Sequence, residues 1–279
     1  MVSEGFAPVS GGSLAWRRRA GSGPALVLSH GLTDNGACWS RFVALLPPAL
    51  DVWMLDARGH GESSRFTPGI DFDPARDLAE AMDGLKLTAA VIMGHSVGAM
   101  SSAQFAVAFP ERTRALMLED PPLCLPAAAG DRVERQAQLT RRLQALHAMS
   151  DAEIVAMGRS SSPGWHPDEF PEWARAKRQV DPGVLLGPDR LWREVFGAIR
   201  APALLLHGDA ALGAMVDAQA AAEAEQLNPR IRAVRIPGAG HNVRRENLPA
   251  YAAAAIAFLA AALPELGMGV QDGGDDHNH

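Results

Sequence analysis

Cysteine is scarce. Cys38 and Cys124 are the two in a chain of 279 residues, too few for a disulfide framework and not spaced as a metal site. Both read as small buried residues. No apolar run approaches the roughly 20 residues a membrane helix requires. The first fifteen residues mix Glu4 and Pro8 with glycine and serine and lack the apolar segment of a secretion signal. Positive charge is thin too: 26 Lys and Arg against 32 Asp and Glu give a net charge of −6. The longest basic run, Arg17-Arg18-Arg19, is too short for a nucleic-acid footprint. These absences point to a soluble cytoplasmic protein with a small-molecule substrate and neither nucleic-acid nor membrane partners. Oligomer formation stays open. What the chain has is core: 47% hydrophobic and 21% charged residues, ordinary for a globular protein.

Short apolar runs alternate with longer helical patterns, which is the signature of a mostly parallel sheet wrapped by helices, an α/β fold. The expected strands are Ala25–Ser29, Val52–Asp56, Ala89–Met93, Ala115–Glu119, Ala203–His207 and Ala233–Ile236. Each is apolar almost throughout, as strands covered on both faces are. Helices are expected at Trp39–Leu46, Pro74–Leu85, Val97–Ala108, Val216–Leu227 and Leu248–Leu263. From 121 to 201 no strand is evident. There Arg132–Met149 reads as an amphipathic helix on the spacing of Val133, Leu139, Leu143 and Leu146. A structureless loop that long is foreign to a compact domain, so 121–201 is expected to be a helical cap inserted into a core formed by 1–120 and 202–266. Residues 267–279, polar and rich in Gly and Asp, read as a disordered tail. Its His277 and His279 are too few to argue for a metal.

Gly94-His95-Ser96-Val97-Gly98 carries the chemistry. It leaves an apolar strand and opens a helix, the context in which a G-x-S-x-G turn lifts a serine hydroxyl above a sheet. Glycines two residues either side leave room for the sharp bend. The helix N-terminus behind Ser96 favours developing negative charge. Serine needs a base, and His241 in Pro237-Gly-Ala-Gly-His241-Asn242 sits on a Gly-rich loop after the last strand, where sheet enzymes present reactive side chains. The other eight histidines fit less well.

With these residues the chain resembles the α/β-hydrolase superfamily over about Ala25 to Leu263. Ser29-His30-Gly31-Leu32 is similar to that family's His-Gly loop, and Asp56-Ala-Arg58-Gly59-His60-Gly61-Glu62-Ser63 to its Asp-x-Arg-Gly-x-Gly-x-Ser turn, which is mainly structural. The resemblance implies an oxyanion hole from the backbone N–H groups of Leu32 and Val97, and no metal or organic cofactor. Its usual acid position, in the turn Gly208-Asp209-Ala210-Ala211, is occupied by Ala211. Asp120, which ends the strand before Pro121, is the preferred replacement, as in a branch of the superfamily that places its acid there. Asp209 competes with it and Asp217 stands behind both. Glu119 should point to the opposite side, because neighbours on a strand alternate.

The expected triad is therefore Ser96, Asp120 and His241, acting by acyl transfer, since a serine cannot replace the carboxylate that dehalogenases and epoxide hydrolases use. An ester or lactone of a medium-sized apolar or aromatic substrate is the leading expectation. Amide, carbamate or carbon–carbon hydrolysis, or ligand binding without turnover, are the alternatives. Trp165, Trp173 and Trp192 in the insertion are candidates to line the substrate pocket, although large aromatics more often pack. Arg244 and Arg245 read as an exposed loop pair.

Overall fold

The computed structural model describes residues 2–67, 69–123, 129–185, 187 and 190–267. Its strands are β1 (Val2–Val9), β2 (Gly12–Arg19), β3 (Ala25–Ser29), β4 (Asp51–Leu55), β5 (Ala90–His95), β6 (Thr113–Glu119), β7 (Ala203–His207) and β8 (Ile231–Arg235). They form one eight-stranded sheet in the order β1-β2-β4-β3-β5-β6-β7-β8. The pairs made by β2 are antiparallel and the rest parallel. The helices are α1 (Ser40–Val43), α2 (Pro74–Gly84), α3 (Val97–Ala108), α4 (Ala129–His147), α5 (Asp151–Ser161), α6 (Glu169–Gln179), α7 (Trp192–Ala198), α8 (Ala218–Leu227), α9 (Val243–Glu246) and α10 (Leu248–Ala262). None of the described helices is long and apolar enough to cross a membrane.

Alternation along β3 shows why the central strands read as unbroken apolar runs. Val27 enters one core layer with Ile92, Leu116 and Leu205, against Leu78, Met82 and Phe105 of α2 and α3. Leu26 and Leu28 enter the other with Met93 and Met117, against Phe42, Tyr251 and Leu259. Each such side chain contributes about 1.5–3 kcal/mol of burial. Helix starts follow local chemistry: the Asp73 carboxylate accepts from the N–H of Ala75, and Pro74 fills the first helical position.

The hairpin β1–β2 is absent from the sequence reading, which leaves residues 1–24 unassigned. Gly5 and Pro8 hide it, being poor strand formers. β1 is an edge strand, where the missing N–H of Pro8 is tolerated. A Cβ on Gly5 would come within 2.5 Å of the Trp16 ring crossing it. The basic run is part of β2. Arg18 pairs with Asp51 at 2.7 Å and lies over the Trp53 ring, while Arg19 donates to the carbonyls of Val43 and Pro47.

Between β6 and β7 the described residues contain α4 to α7 and no strand. Two small clusters hold this insertion together, one of Ile154, Trp165, Phe170 and Trp173 and one of Leu143, Leu146, Val180 and Val184. α7 is different, since Trp192, Val195 and Phe196 join the main core layer beside α3 and α8. Cys38 is buried and burial pushes its thiol up to about 12. Cys124 and residues 268–279, which include nearly all of the expected tail, lie outside the described residues.

Candidate active site

Ser96 sits between β5 and α3 with φ 55° and ψ −122°, a backbone conformation that L-residues rarely adopt. The glycines make it feasible. A Cβ on Gly94 would stand 2.3 Å from the Gly98 carbonyl oxygen, and one on Gly98 would stand 2.4 Å from that of His30. The strand, the helix and the neighbouring loop therefore touch backbone to backbone, and the hydroxyl is left at the crest of the bend.

His241 reaches the hydroxyl from the loop between β8 and α9, with Nε2 3.1 Å from Ser96 Oγ. Its Nδ1 lies 2.6 Å from Asp120 Oδ2. A carboxylate facing Nδ1 requires the hydrogen there, which leaves Nε2 as an acceptor for the serine proton. Asp120 is fully buried at the end of β6, with φ 42°. Met215 and Val216 donate their backbone N–H groups to it at 2.8 and 3.0 Å. Those donors belong to the loop after β7, where the resemblance placed the usual acid. Here that loop grips a carboxylate from the neighbouring strand instead. Asp209 is turned elsewhere, pairing with Arg235 and accepting from Gly238 N–H. Asp217 caps α8.

Leu32 and Val97, the residues of the expected oxyanion hole, both line one cavity beside the elbow. Two histidines brace the Leu32 loop. His30 donates through Nδ1 to the Gly31 carbonyl and accepts through Nε2 from Ala57 N–H at 2.9 Å. His60 faces two carbonyls, that of Leu32 at Nε2 and that of Arg58 at Nδ1. Two acceptors favour the cation, but burial outweighs them and lowers His60 to about 4. The neutral ring has one hydrogen to donate to one of these two carbonyls. His95 donates through Nε2 to the His241 carbonyl at 3.0 Å, supporting the loop from below.

Glu119 points away from the site, as alternation requires, into a charged cluster. Arg244 pairs with it at 3.0 Å and with Asp34 at 3.2 Å. Arg245 pairs with Asp34 at 3.0 Å and Glu169 at 3.1 Å. The reading of these two arginines as an exposed pair is thus corrected, since they are 2% and 3% exposed. Burial opposes the charge on Asp34, but Arg245, Lys177 and Arg244 hold its carboxyl well below the usual range. What satisfies the arginines are carboxylates distant in sequence, a signal that spacing alone does not carry. The cluster ties the loop bearing His241 to the Leu32 loop through Asp34, and to the insertion through Glu169.

A cavity of about 240 Å³ is lined by Leu32 and Val97, by Leu14, Leu55, Phe72, Leu78 and Met100, and from the insertion by Leu185 and Arg190; Ser96 and His241 are not among its lining residues. The three tryptophans expected to line a pocket do not line this one. Trp165 stacks on Phe170 and lies under the Arg245 guanidinium. Trp173 carries the Lys177 ammonium 3.9 Å above its ring. Trp192 belongs to the core beside Phe196. All three are buried in hydrophobic clusters instead.

A family model described as the alpha/beta hydrolase family matches residues 26–257. The chain is 26% identical to an N-formylmaleamate deformylase of Pseudomonas putida over 268 residues, 92% of this chain and 97% of that one. It is 26% identical to a 2-(acetamidomethylene)succinate hydrolase of Mesorhizobium japonicum over 236 residues, 81% and 84% of the two chains. Among solved structures, a thermophilic esterase from Thermogutta terrifontis superposes with a TM-score of 0.75 at 20% identity, over 93% of this chain and 99% of that one.

Proposed function

The chain belongs to the alpha/beta hydrolase family, and from that premise we propose that it is a serine hydrolase cleaving an ester or lactone through an acyl-enzyme. One observation carries this: Ser96, His241 and Asp120 stand in a continuous relay at 3.1 and 2.6 Å. His241 Nε2 takes the hydroxyl proton as Ser96 Oγ bonds to the carbonyl carbon, and the carbonyl electron pair moves onto its oxygen. The N–H groups of Leu32 and Val97 receive that oxyanion. Each such donor is worth about 3–4 kcal/mol in the transition state. As the oxyanion collapses, the bond to the leaving group breaks and the leaving group takes the proton from Nε2. Water then attacks the acyl carbon, giving its proton to Nε2, and the acid departs as Oγ recovers it. Asp120 holds the tautomer and faces the imidazolium throughout.

The insertion α4–α6 serves as a cap over this site. A medium-sized acyl group suits the cavity because Leu14, Leu55, Leu78 and Met100 give it a continuous apolar side, with Phe72 beside them. That shifts the support for an apolar substrate away from the tryptophans. Amide hydrolysis is the second reading, favoured by the near full-length matches to a deformylase and to a hydrolase of an acetamido compound.

Ser96→Ala tests the reading. It should lower turnover of a p-nitrophenyl ester by about four to six orders of magnitude and abolish labelling by a fluorophosphonate, with circular dichroism unchanged. A folded Ser96→Ala protein of wild-type activity would refute it.

A further inference from the structure

One wall of the cavity is a single stripe of α3, formed by Val97, Met100, Ser101 and Gln104, the positions that share one helical face. Gln104 is out of keeping with its surroundings. It is only 7% exposed, yet its Oε1 is buried without a hydrogen-bond partner among the described residues. An amide oxygen hidden in this way forfeits its bond to water and gains nothing in return. Three other polar groups of the lining are engaged. Ser101 donates to the Val97 carbonyl at 2.9 Å. Arg58 closes on Asp77 with two bonds of 2.8 Å. Arg190 faces Asp73 at 3.7 Å.

We propose that Gln104 is a specificity-determining residue, and that the acyl group of the substrate carries an uncharged group able both to donate and to accept hydrogen bonds, a carboxamide or a hydroxyl, which pairs with the Gln104 amide. The proposal rests on the serine hydrolase reading of Ser96. A side-chain amide offers one acceptor and two donors about a freely turning terminal bond, so a ligand with both roles satisfies it in either orientation. A neutral group is called for because Arg58 and Arg190 already face carboxylates and Arg135, the third arginine of the lining, is not free either. The spacing sets the reach. Seven residues of helix separate the Val97 and Gln104 Cα atoms by about 10 Å along the axis, and helical side chains lean back toward the N-terminus. The polar group therefore lies about 5–10 Å beyond the reacting carbonyl.

The test uses p-nitrophenyl esters whose acyl chains end in a carbamoyl group, in an acetyl group of the same shape, or in a carboxylate, across spacers of roughly two to five methylenes. Wild-type enzyme should favour the carbamoyl over the acetyl ester by about tenfold or more in kcat/KM at the best spacer, since a buried site left unpaired rejects the analogue lacking the donor. Gln104→Leu should bring that ratio to within about twofold of one while p-nitrophenyl acetate is still hydrolysed. A wild-type ratio near one, an unchanged ratio in Gln104→Leu, or a carboxylate ester as the best substrate would each overturn the proposal. The wild-type comparison stands even if the variant fails to fold. Should no ester turn over and no fluorophosphonate label Ser96, the hydrolase reading falls and this falls with it. Acetate turnover without carbamoyl preference sinks this inference alone.

Discussion

Asp120 receives three hydrogen bonds, from the His241 imidazole and two backbone N–H groups, and has no exposed surface. Asparagine at this position supplies one oxygen where three donors converge, so an N–H group must face an N–H group. Asp120→Asn should therefore lower kcat by about 10⁴, the scale seen when a triad acid loses its charge and the tautomer is reversed. It should lower the melting temperature as well. Asp209→Asn, at the position two residues before Ala211, should leave kcat within about twofold of wild type. If the two variants showed the opposite pattern in a p-nitrophenyl ester assay, the acid would be Asp209. The sequence discloses Ser96 and His241 because glycine spacing announces a tight bend and a loop. It leaves the acid open between two strand ends, of which the structure brings Asp120 to 2.6 Å from His241 Nδ1. Arg244 and Arg245 escape it altogether, because a pair of charges after a Gly-rich loop looks like surface until Asp34, Glu119 and Glu169 are seen around it.

Among the elements of the insertion, α6 is fastened to the loop that follows Leu32. Asn35 donates to Glu172 and Gln179 at 2.6 and 3.0 Å, and Lys177 donates to Thr33 Oγ1 at 3.0 Å. Burial lowers Lys177 from 10.5 to about 8. Below pH 8 both the folded and unfolded chains carry that proton, and the folded state bears the full cost of an enclosed cation. As pH rises from 8 to 10.5 the folded chain sheds the proton first, and the cost, about 3 kcal/mol in all, is relieved. Lys177→Met keeps the length and removes the charge, while Arg244 and Arg245 still neutralise Asp34. It should raise the urea midpoint at pH 7 and abolish the part of the pH 8–10 rise that wild type shows. Equal pH slopes in the two proteins would refute this account. Short unbroken apolar runs made six of the eight strands legible. The hairpin β1–β2 was not, because an edge strand tolerates the Gly and Pro that argue against a central one.

For the molecule as a whole, the histidines set the acid limit. Burial lowers His60 and His95 from 6.5 to about 4 and lowers His30 as well. The unfolded chain protonates these rings near pH 6.5 while the folded chain refuses the proton. Stability is therefore complete above 6.5 and lost as pH falls toward 4. His60 and His95 each remove about 1.4 kcal/mol per pH unit within that window. Urea unfolding at stepped pH should thus show a slope of at least two protons near pH 5. A flat midpoint from pH 7 to 4.5 would show that these rings do not titrate as their burial demands.

The backbone contact between Gly94 and Gly98 separates the chain into what can be redrawn and what cannot. No atom can be added at the bend without driving strand from helix, so the nucleophile keeps one address whatever the rest of the molecule becomes. New selectivities must be written on the outward stripe of α3 and on the helices above it, where side chains change without moving the hinge of the chemistry. An anvil that cannot shift is what allows the jaw opposite it to be reshaped.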